Sequence, residues 1–248
     1  MISSGELKEI RFQLENVKTD KYPFNLPFLK QAGSLKINPK ITFFVGENGS
    51  GKSTLLEAIA IASGFNAEGG TKNFNFNTRA SHSALHHYIQ TSRGVKRHND
   101  GFFLRSESFF NLATAIEVLD SDPDARGPKI IDSYGGVSLH EQSHGESFWA
   151  LFMNRFSGNG FYILDEPEAA LSPTKQMAML YKMHELVSSG SQLIVATHSP
   201  ILIAYPGATV YEFNEDGATI KDYKQTDLFK TYAAFVNDSD NHVHYLLK

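Results

Sequence analysis

Nine consecutive residues have the types and spacing needed to bind a chain of phosphates. They match the pattern G-x-x-x-x-G-K-[ST], in which glycines let the backbone turn tightly so that its N–H groups point at phosphate oxygens. In such a P-loop, Lys52 would contact the β- and γ-phosphates of a nucleotide, and the Ser53 hydroxyl would bind Mg²⁺. The predicted phosphate-binding residues are Gly46, Glu47, Asn48, Gly49, Ser50, Gly51, Lys52, Ser53 and Thr54.

Two neighbouring acids could complete a hydrolytic site. Asp165 and Glu166 follow the hydrophobic run 161–164, which predicts a buried strand that ends in two carboxylates. In that position Asp165 can hold Mg²⁺ through water, and Glu166 can point at the water that attacks the γ-phosphate. His198 stands at the end of the next predicted strand, 192–197.

Two further segments could contact a nucleotide. The aromatic segment 22–28 lies just upstream of the P-loop, and Tyr22 is the first candidate to stack on adenine. Phe24 and Phe28 are alternatives, and plain core packing remains open for each of the three. Ser143 and Gly145 form a Ser-x-Gly turn that opens a helix, and such a turn is a possible second anion site.

Strands and helices on both sides of these residues must bring them together. The run 41–45 is β-branched and aromatic and predicts a buried strand, while 55–62 predicts a helix that ends near Gly64. A strand, a glycine loop and a helix are the context that a P-loop requires. Further strands are predicted at 7–17, 35–37, 101–105, 209–213 and 219–223, and further helices at 81–91, 111–119, 148–156, 174–187 and 226–236.

The composition excludes several classes of protein. Of the 248 residues, 41% are hydrophobic and 20% are charged, and the net charge of −4 argues against a surface built as a whole for polyanions. No apolar run approaches the roughly 20 residues that cross a bilayer. The chain has no cysteine, which excludes disulfides and thiol catalysis, and residues 1–6 lack the regions of a signal peptide. We therefore expect a cytoplasmic location without a membrane segment.

Residues 69–99 are basic within this acidic chain. They contain four histidines and no acidic residue, so they could contact DNA, RNA or an acidic partner protein, although a solvated polar face remains the alternative. His82 and His86 are spaced i, i+4 and could share a metal, but no third ligand is evident. The lysines and arginines of the segment are Lys72, Arg79, Arg93, Lys96 and Arg97.

Taken together, the motifs between about residues 41 and 200 resemble those of the ABC-type ATPase family. Residues 46–54 resemble its Walker A motif, and 163–166 resemble its Walker B motif with Glu166 as the catalytic glutamate. The stretch 143–146 is similar to the Ser-Gly-Gly-Gln signature, and His198 resembles the switch histidine.

The chain departs from the family pattern at four places. His144 and Glu146 replace a glycine and the glutamine of the signature, and Ser172 replaces an aspartate after Walker B. Arg105 or Glu107 stands where the family has another glutamine. These variants are more similar to the stand-alone, soluble bacterial "AAA family" predicted ATPases than to transporter subunits.

The resemblance implies an α/β fold of the P-loop NTPase class and of ABC-ATPase type. It implies a mixed central sheet flanked by helices, together with an antiparallel β portion. A single domain would span residues 1–248, with a small helical lobe at about 105–148.

The resemblance also implies an ATPase that works as an ATP-dependent homodimer. ATP would lie between the P-loop of one protomer and Ser143, Gly145 and Glu146 of the other. Lys52, Glu166 and His198 would then act in hydrolysis, with Mg²⁺ as the cofactor. Three functions remain open: an ATPase in nucleic-acid transactions such as repair or phage defence, a nucleotide-gated interaction module with incidental turnover, and, as the weakest, a transporter ATPase subunit.

Overall fold

The computed structural model describes residues 5–15, 17–18, 20–31, 33–72, 83–106, 109–122 and 127–248. The strands are β1 (Gly5–Phe12), β2 (Ser34–Lys36), β3 (Ile41–Gly46), β4 (Ile89–Arg97), β5 (Asp100–Arg105), β6 (Gly160–Asp165), β7 (Gln192–Ala196), β8 (Thr209–Asn214) and β9 (Gly217–Lys221). The helices are α1 (Pro27–Gln31), α2 (Lys52–Ala62), α3 (Phe109–Asp120), α4 (His144–Arg155), α5 (Pro173–Ser188), α6 (Asp227–Asn237) and α7 (Ser239–Leu246).

Six strands form one mixed sheet in the order β5-β6-β7-β3-β8-β9. The first five run parallel, and β9 pairs antiparallel with β8. Because parallel neighbours end at one edge of a sheet, β3 and β6 both point their carboxyl ends at that edge, with β7 between them. Two hydrogen bonds join this edge, from Thr197 N–H to the Phe44 carbonyl (3.1 Å) and from Glu166 N–H to the Ala196 carbonyl (2.9 Å).

Both faces of the mixed sheet are covered, which explains why its strands are hydrophobic almost throughout. In β3, Phe43 belongs to the core that includes side chains of α3, α4 and α5. Its neighbour Phe44 belongs to the opposite core, which includes side chains of α2 and of the smaller sheet. Both rings are fully buried, so β3 holds the loop that follows it in a fixed place.

The smaller sheet is antiparallel, with the order β2-β1-β4. The helix predicted at 81–91 is wrong, because residues 84–88 form a 3-10 turn and β4 begins at Ile89. In β4, half-buried Ile89 and Thr91 alternate with exposed Gln90 and Ser92, and this period of two favours a strand over a helix. Residues 81 and 82 lie outside the described part of the chain.

The predicted fold class is confirmed: a mixed sheet is flanked by helices and accompanied by an antiparallel portion. The other predicted helices and strands also occur, with bounds shifted by a few residues. In the part of the chain that the structure describes, no helix is long and apolar enough to cross a membrane.

Candidate active site

The P-loop connects β3 to α2 and depends on two glycines with positive φ. Gly46 has φ of 140° and Gly51 has φ of 97°. A Cβ atom would lie 2.3 Å from the carbonyl oxygen of Phe213 at the first position and 2.7 Å from the Phe28 ring at the second. No side chain fits at either place, so the loop backbone itself lines the site.

The start of α2 supplies free N–H groups to this loop. The N–H of Leu55 donates to the Gly51 carbonyl at 2.9 Å. The earlier amides of the first turn therefore have no carbonyl partner within the helix. Such a helix N-terminus binds anions, because unpaired N–H groups and the helix dipole act together.

Lys52 is the cation of the loop. Its Nζ donates to the carbonyl oxygens of Gly46 (2.7 Å) and Glu47 (2.9 Å), and the residue is 4% exposed. Burial lowers the pKa of this ammonium group, while the carboxylates of Glu166 and Asp165 act to raise it. The lysine is thus fixed across the loop, where phosphate oxygens could take the place of the carbonyl groups.

A hydrogen bond connects the P-loop with the carboxyl end of β6. The Ser53 hydroxyl donates to Oδ1 of Asp165 at 3.0 Å, and Asp165 is buried. A hydroxyl and a carboxylate are oxygen donors of the kind that Mg²⁺ prefers. The two predicted metal-binding residues are therefore brought together and fit this ion.

Tyr22 lies at the mouth of the site. Its hydroxyl is 3.0 Å from Oγ1 of Thr54, and the residue is 62% exposed. Tyr22 lines a cavity of about 280 Å³ together with Lys52, Ser53 and Glu166. The two other aromatic residues considered for stacking on adenine make contacts within the protein instead. Phe28 is fully buried against Phe12 and Phe213, and Phe24 packs edge-on against Tyr88.

Glu166 follows β6 directly and has an unusual backbone conformation. Its φ of 50° lies in the left-handed region, which costs a residue other than glycine about 1–3 kcal/mol. The hydroxyl of Ser106 lies 2.8 Å from the Asp165 carbonyl and 2.9 Å from that of Glu166. These contacts hold the turn that presents the Glu166 side chain to the cavity.

His198 faces Glu166 across this edge of the sheet. Its Nε2 is 3.6 Å from Oε1 of Glu166 and has no hydrogen-bond partner among the described residues. Burial, followed by the nearby charge of Lys52, lowers the pKa of His198. The ring is therefore mainly neutral at pH 7.

The signature residues form a separate turn at the start of α4. Both the N–H and the hydroxyl of Ser143 donate to Oε2 of Glu146, at 3.1 and 2.6 Å. A Cβ atom on Gly145 would lie 2.4 Å from the Ala170 carbonyl, so this position also requires glycine. Among the described residues, the hydrogen bonds of this turn do not reach the P-loop of the same chain. The side chain of His144 lies outside the described set.

The basic segment divides into buried and exposed residues. Arg93 is part-buried, donates to the Gly5 carbonyl (3.0 Å) and to the Ser63 hydroxyl (2.6 Å), and lies over the Phe161 ring. Lys96 and Arg97 are exposed. Lys96 and Arg97 are therefore the members of this group that can contact a partner, whereas Arg93 is engaged in contacts within the fold.

The suggested metal pair has no support among the described residues. His82, the first histidine of the pair, falls outside them, as does the basic residue Arg79. The ring Nδ1 of His86, the second histidine, lies 2.9 Å from the Ser83 carbonyl oxygen. No group of three or more potential metal ligands occurs in the described ranges.

Two contacts near the site were not predicted, although Arg105 and Glu107 themselves were named as possible replacements of the family's glutamine. Arg105 forms an ion pair with buried Glu57 of α2 at 2.9 Å, and Glu107 lies outside the described residues. Glu168 binds the backbone of His198 at 2.6 Å. These pairs are separated by 30 and 48 residues along the chain, so no local pattern could reveal them.

Comparisons with known proteins find similarity to ATPases. Residues 11–119 match a family model described as "AAA domain", and residues 147–203 match one described as "AAA ATPase domain". The chain is 25% identical over 228 residues to a proposed ABC transporter ATP-binding protein of Methanosarcina acetivorans, covering 85% of this chain and 82% of that protein. It is 24% identical over 184 residues to the ABC transporter G family member STR2 of Medicago truncatula, of which it spans only 24%.

Two solved structures align with this chain at low sequence identity, and the one with the higher TM-score shows the same fold. A nucleotide-free ATP-binding cassette from an ABC transporter aligns with a TM-score of 0.50 and 15% identity, covering 81% of this chain and 87% of that one. The SMC head domain of Thermotoga maritima aligns with a TM-score of 0.45 and 17% identity, covering 88% of this chain and 98% of that one.

Proposed function

We propose that this chain, an AAA-type ATPase with the fold of the ABC-type ATPases, binds MgATP at its P-loop and hydrolyses it to ADP and phosphate. The hydrogen bond between Ser53 and Asp165 carries the proposal, because it joins the phosphate loop to the carboxylate end of β6. Glu166 follows at the next position and lines the same cavity as Lys52. Phosphate binding, metal binding and a candidate base therefore meet at one edge of the sheet.

Each residue has a role that follows from its contacts. Lys52 neutralises phosphate charge, and the backbone of the loop donates hydrogen bonds to the phosphate oxygens. Ser53 and Asp165 would hold Mg²⁺, which would supply positive charge next to the phosphates. Glu166 orients and deprotonates the attacking water, and His198 stabilises charge on the transferred phosphoryl group.

The signature turn supports a dimeric site. Ser143 and Glu146 are exposed, and their side-chain hydrogen bonds to described residues stay within their own turn, so they could meet a nucleotide on another protomer. We propose that two copies enclose ATP, with the P-loop of one and Ser143 and Gly145 of the other on either side. Binding then assembles the dimer, and hydrolysis releases it.

A nucleic-acid partner is the further proposal for this ATPase. Its support is the exposure of Lys8, Lys36, Lys96 and Arg97 on the three strands of the antiparallel sheet, and we call these four residues the basic sheet surface. The acidic residues Glu6 and Glu9 lie next to Lys8 and Lys36 on the same sheet. Phosphate-backbone contacts require exposed basic side chains of this kind. The names of both relatives favour the alternative of a transporter subunit. Stimulation of hydrolysis by DNA or RNA would separate these functions.

The P-loop assignment is tested with Lys52→Ala. We expect ATP affinity, measured by calorimetry, to fall by roughly 10-fold to 100-fold or out of range, because the phosphates lose a fixed cation. Lys40→Ala is the matched control, since Lys40 is an exposed lysine in the turn before β3. Unchanged affinity in Lys52→Ala would contradict the assignment.

A further inference from the structure

Glu168 is a buried carboxylate beside the site that the mechanism above does not use. It lies three residues after Asp165, in the turn that follows β6. Its Oε1 accepts a hydrogen bond from the backbone N–H of His198 at 2.6 Å. Its Oε2 is buried and has no hydrogen-bond partner in the described ranges. Burial also raises the pKa of this carboxyl group.

The position of the His198 ring depends on its backbone. Described residues offer its Nε2 no hydrogen bond, and the nearest carboxylate oxygen, on Glu166, is 3.6 Å away. The hydrogen bond to Glu168 therefore fixes the backbone of His198, and the position of the ring follows from that backbone. Without it, the N–H of the part-buried His198 would lose its hydrogen-bond partner, and we expect the loop to move until this N–H finds another.

We propose that Glu168 is a positioning residue that holds His198 against Glu166 and the γ-phosphate. Glu168 does not touch substrate in this role and acts only through the histidine. The proposal rests on the ATPase function proposed above. It predicts a loss in the chemical step without a comparable loss in nucleotide binding.

Three variants test the role by steady-state kinetics. Glu168→Ala should lower kcat roughly 10-fold to 100-fold, the range expected for a lost hydrogen bond to a buried group, and leave KM for ATP within about two-fold. Glu168→Gln should recover kcat to within about three-fold, because its amide oxygen can still accept the His198 N–H. Glu185→Gln is the matched control, since that glutamate is on α5 and its ion pair with Lys182 is long, at 3.9 Å.

A double-mutant cycle separates positioning from a general structural role. If Glu168 acts through His198, Glu168→Ala should lower kcat no further in a His198→Ala background. Equal losses in both backgrounds would overturn the proposal. A parallel rise in KM, or a Glu168→Gln variant as slow as Glu168→Ala, would also overturn it.

A readout without turnover keeps this proposal distinct from the ATPase function. In NMR spectra, the ring signal of His198 is the one lost in His198→Ala. It should shift in Glu168→Ala and stay close to its place in Glu168→Gln, while the signal of His184 on α5 stays unchanged. If the wild-type protein does not hydrolyse ATP, the ATPase proposal fails and this measurement still decides for or against Glu168. An unmoved His198 signal in Glu168→Ala would reject the positioning role.

Discussion

His98 is buried just beyond β4, with its ring stacked against that of Phe161 at a centroid distance of 6.1 Å. Burial lowers its pKa, and the charges of Lys96 and Arg93 lower it further, whereas Glu6 acts to raise it. The folded chain therefore resists protonation at a position where the unfolded chain accepts it. A single side chain thus links folding to pH, away from the catalytic edge.

The sign of this link predicts lower stability in acid. In the unfolded chain a histidine takes up its proton below a pH of about 6.5, while folded His98 takes it up only at lower pH. The stability that His98 contributes is complete above that pH and is lost as the pH falls toward the folded pKa. His98→Phe keeps an aromatic ring but cannot be protonated.

Thermal unfolding at pH 7.5 and pH 5.5 measures the effect of His98. We expect the fall in Tm between these values to be smaller in His98→Phe than in the wild type. His87→Phe is the control, because His87 is an exposed histidine in the short turn before β4. Equal pH dependence in wild type and His98→Phe would show that other groups control acid stability.

At the scale of residues, the sequence predicted the local motifs but not the contacts between residues that are far apart in the chain. Lys52, Ser53, Asp165 and Glu166 each stand in a short pattern whose chemistry follows from types and spacing. The contact between Glu168 and His198 could not be predicted from the sequence, because the two residues come together only when β6 and β7 pair in parallel. The catalytic assignments themselves stay predictions until variants are measured.

At the scale of elements, β4 shows why the sequence was misleading. The predicted helix at 81–91 included the alanine and histidines at 84–87. It also included residues from Ile89 onward, which pair with β1 in the structure. Register in the antiparallel sheet decided the outcome, since Ile89 lies opposite Phe12 and Thr91 opposite Ile10. Tertiary pairing overrode local propensity there.

The same strand gives a prediction about the basic sheet surface. Charge reversal of Lys96 and Arg97 to glutamate should weaken binding to DNA or RNA and reduce its salt dependence, because fewer counterions are released. Basal ATP hydrolysis should not change. Arg93 is left intact, since its bonds to Gly5 and Ser63 support the fold.

Fluorescence anisotropy with labelled DNA and RNA at several salt concentrations reads out this prediction. A double charge reversal at Lys40 and Lys230 is the matched control, because both lysines are exposed on other elements and the net charge changes equally. Equal weakening in both double variants would assign the effect to net charge alone. Absence of salt-dependent binding by the wild type would remove the nucleic-acid proposal.

At the scale of the whole molecule, the parallel part of the sheet explains how distant segments form one site. β3 and β6 are separated by more than 100 residues in the chain, yet one strand separates them in the sheet. The resemblance to the ABC-type ATPases implied this mixed α/β fold, and the pattern of hydrophobic runs of strand length agrees with strands that are covered on both faces. The pattern did not predict the order of strands, which depends on pairings between remote segments. The single domain with a helical lobe stays a prediction.

The turn after β6 lies beside both the P-loop region and the signature turn of the same chain. In the proposed dimer these two regions would bind different ATP molecules. Its Ala170 carbonyl lies against Gly145 of the signature turn, and its Glu166 side chain faces the P-loop of the same chain. In an ATP-bound dimer, the signature of each protomer would meet the nucleotide of the other. Nucleotide binding and dimer assembly are therefore expected to depend on each other.

Glu166→Gln tests this dependence. In the proposed site, the P-loop and Asp165 would bind phosphate and Mg²⁺ without help from Glu166, so ATP binding should survive the substitution. The variant keeps the size of the side chain but loses its charge and basicity, so hydrolysis should slow by roughly 10²-fold to 10⁴-fold, the contribution of a positioned general base. Because ATP then persists, the variant should accumulate as a dimer with ATP and remain monomeric with ADP or without nucleotide.

Light scattering after size-exclusion chromatography measures the mass in each state, with Glu185→Gln as the control that should behave like the wild type. Hydrolysis at the wild-type rate would remove Glu166 from the mechanism, whereas a slow variant that stays monomeric with ATP would keep the base and reject the ATP-enclosed dimer.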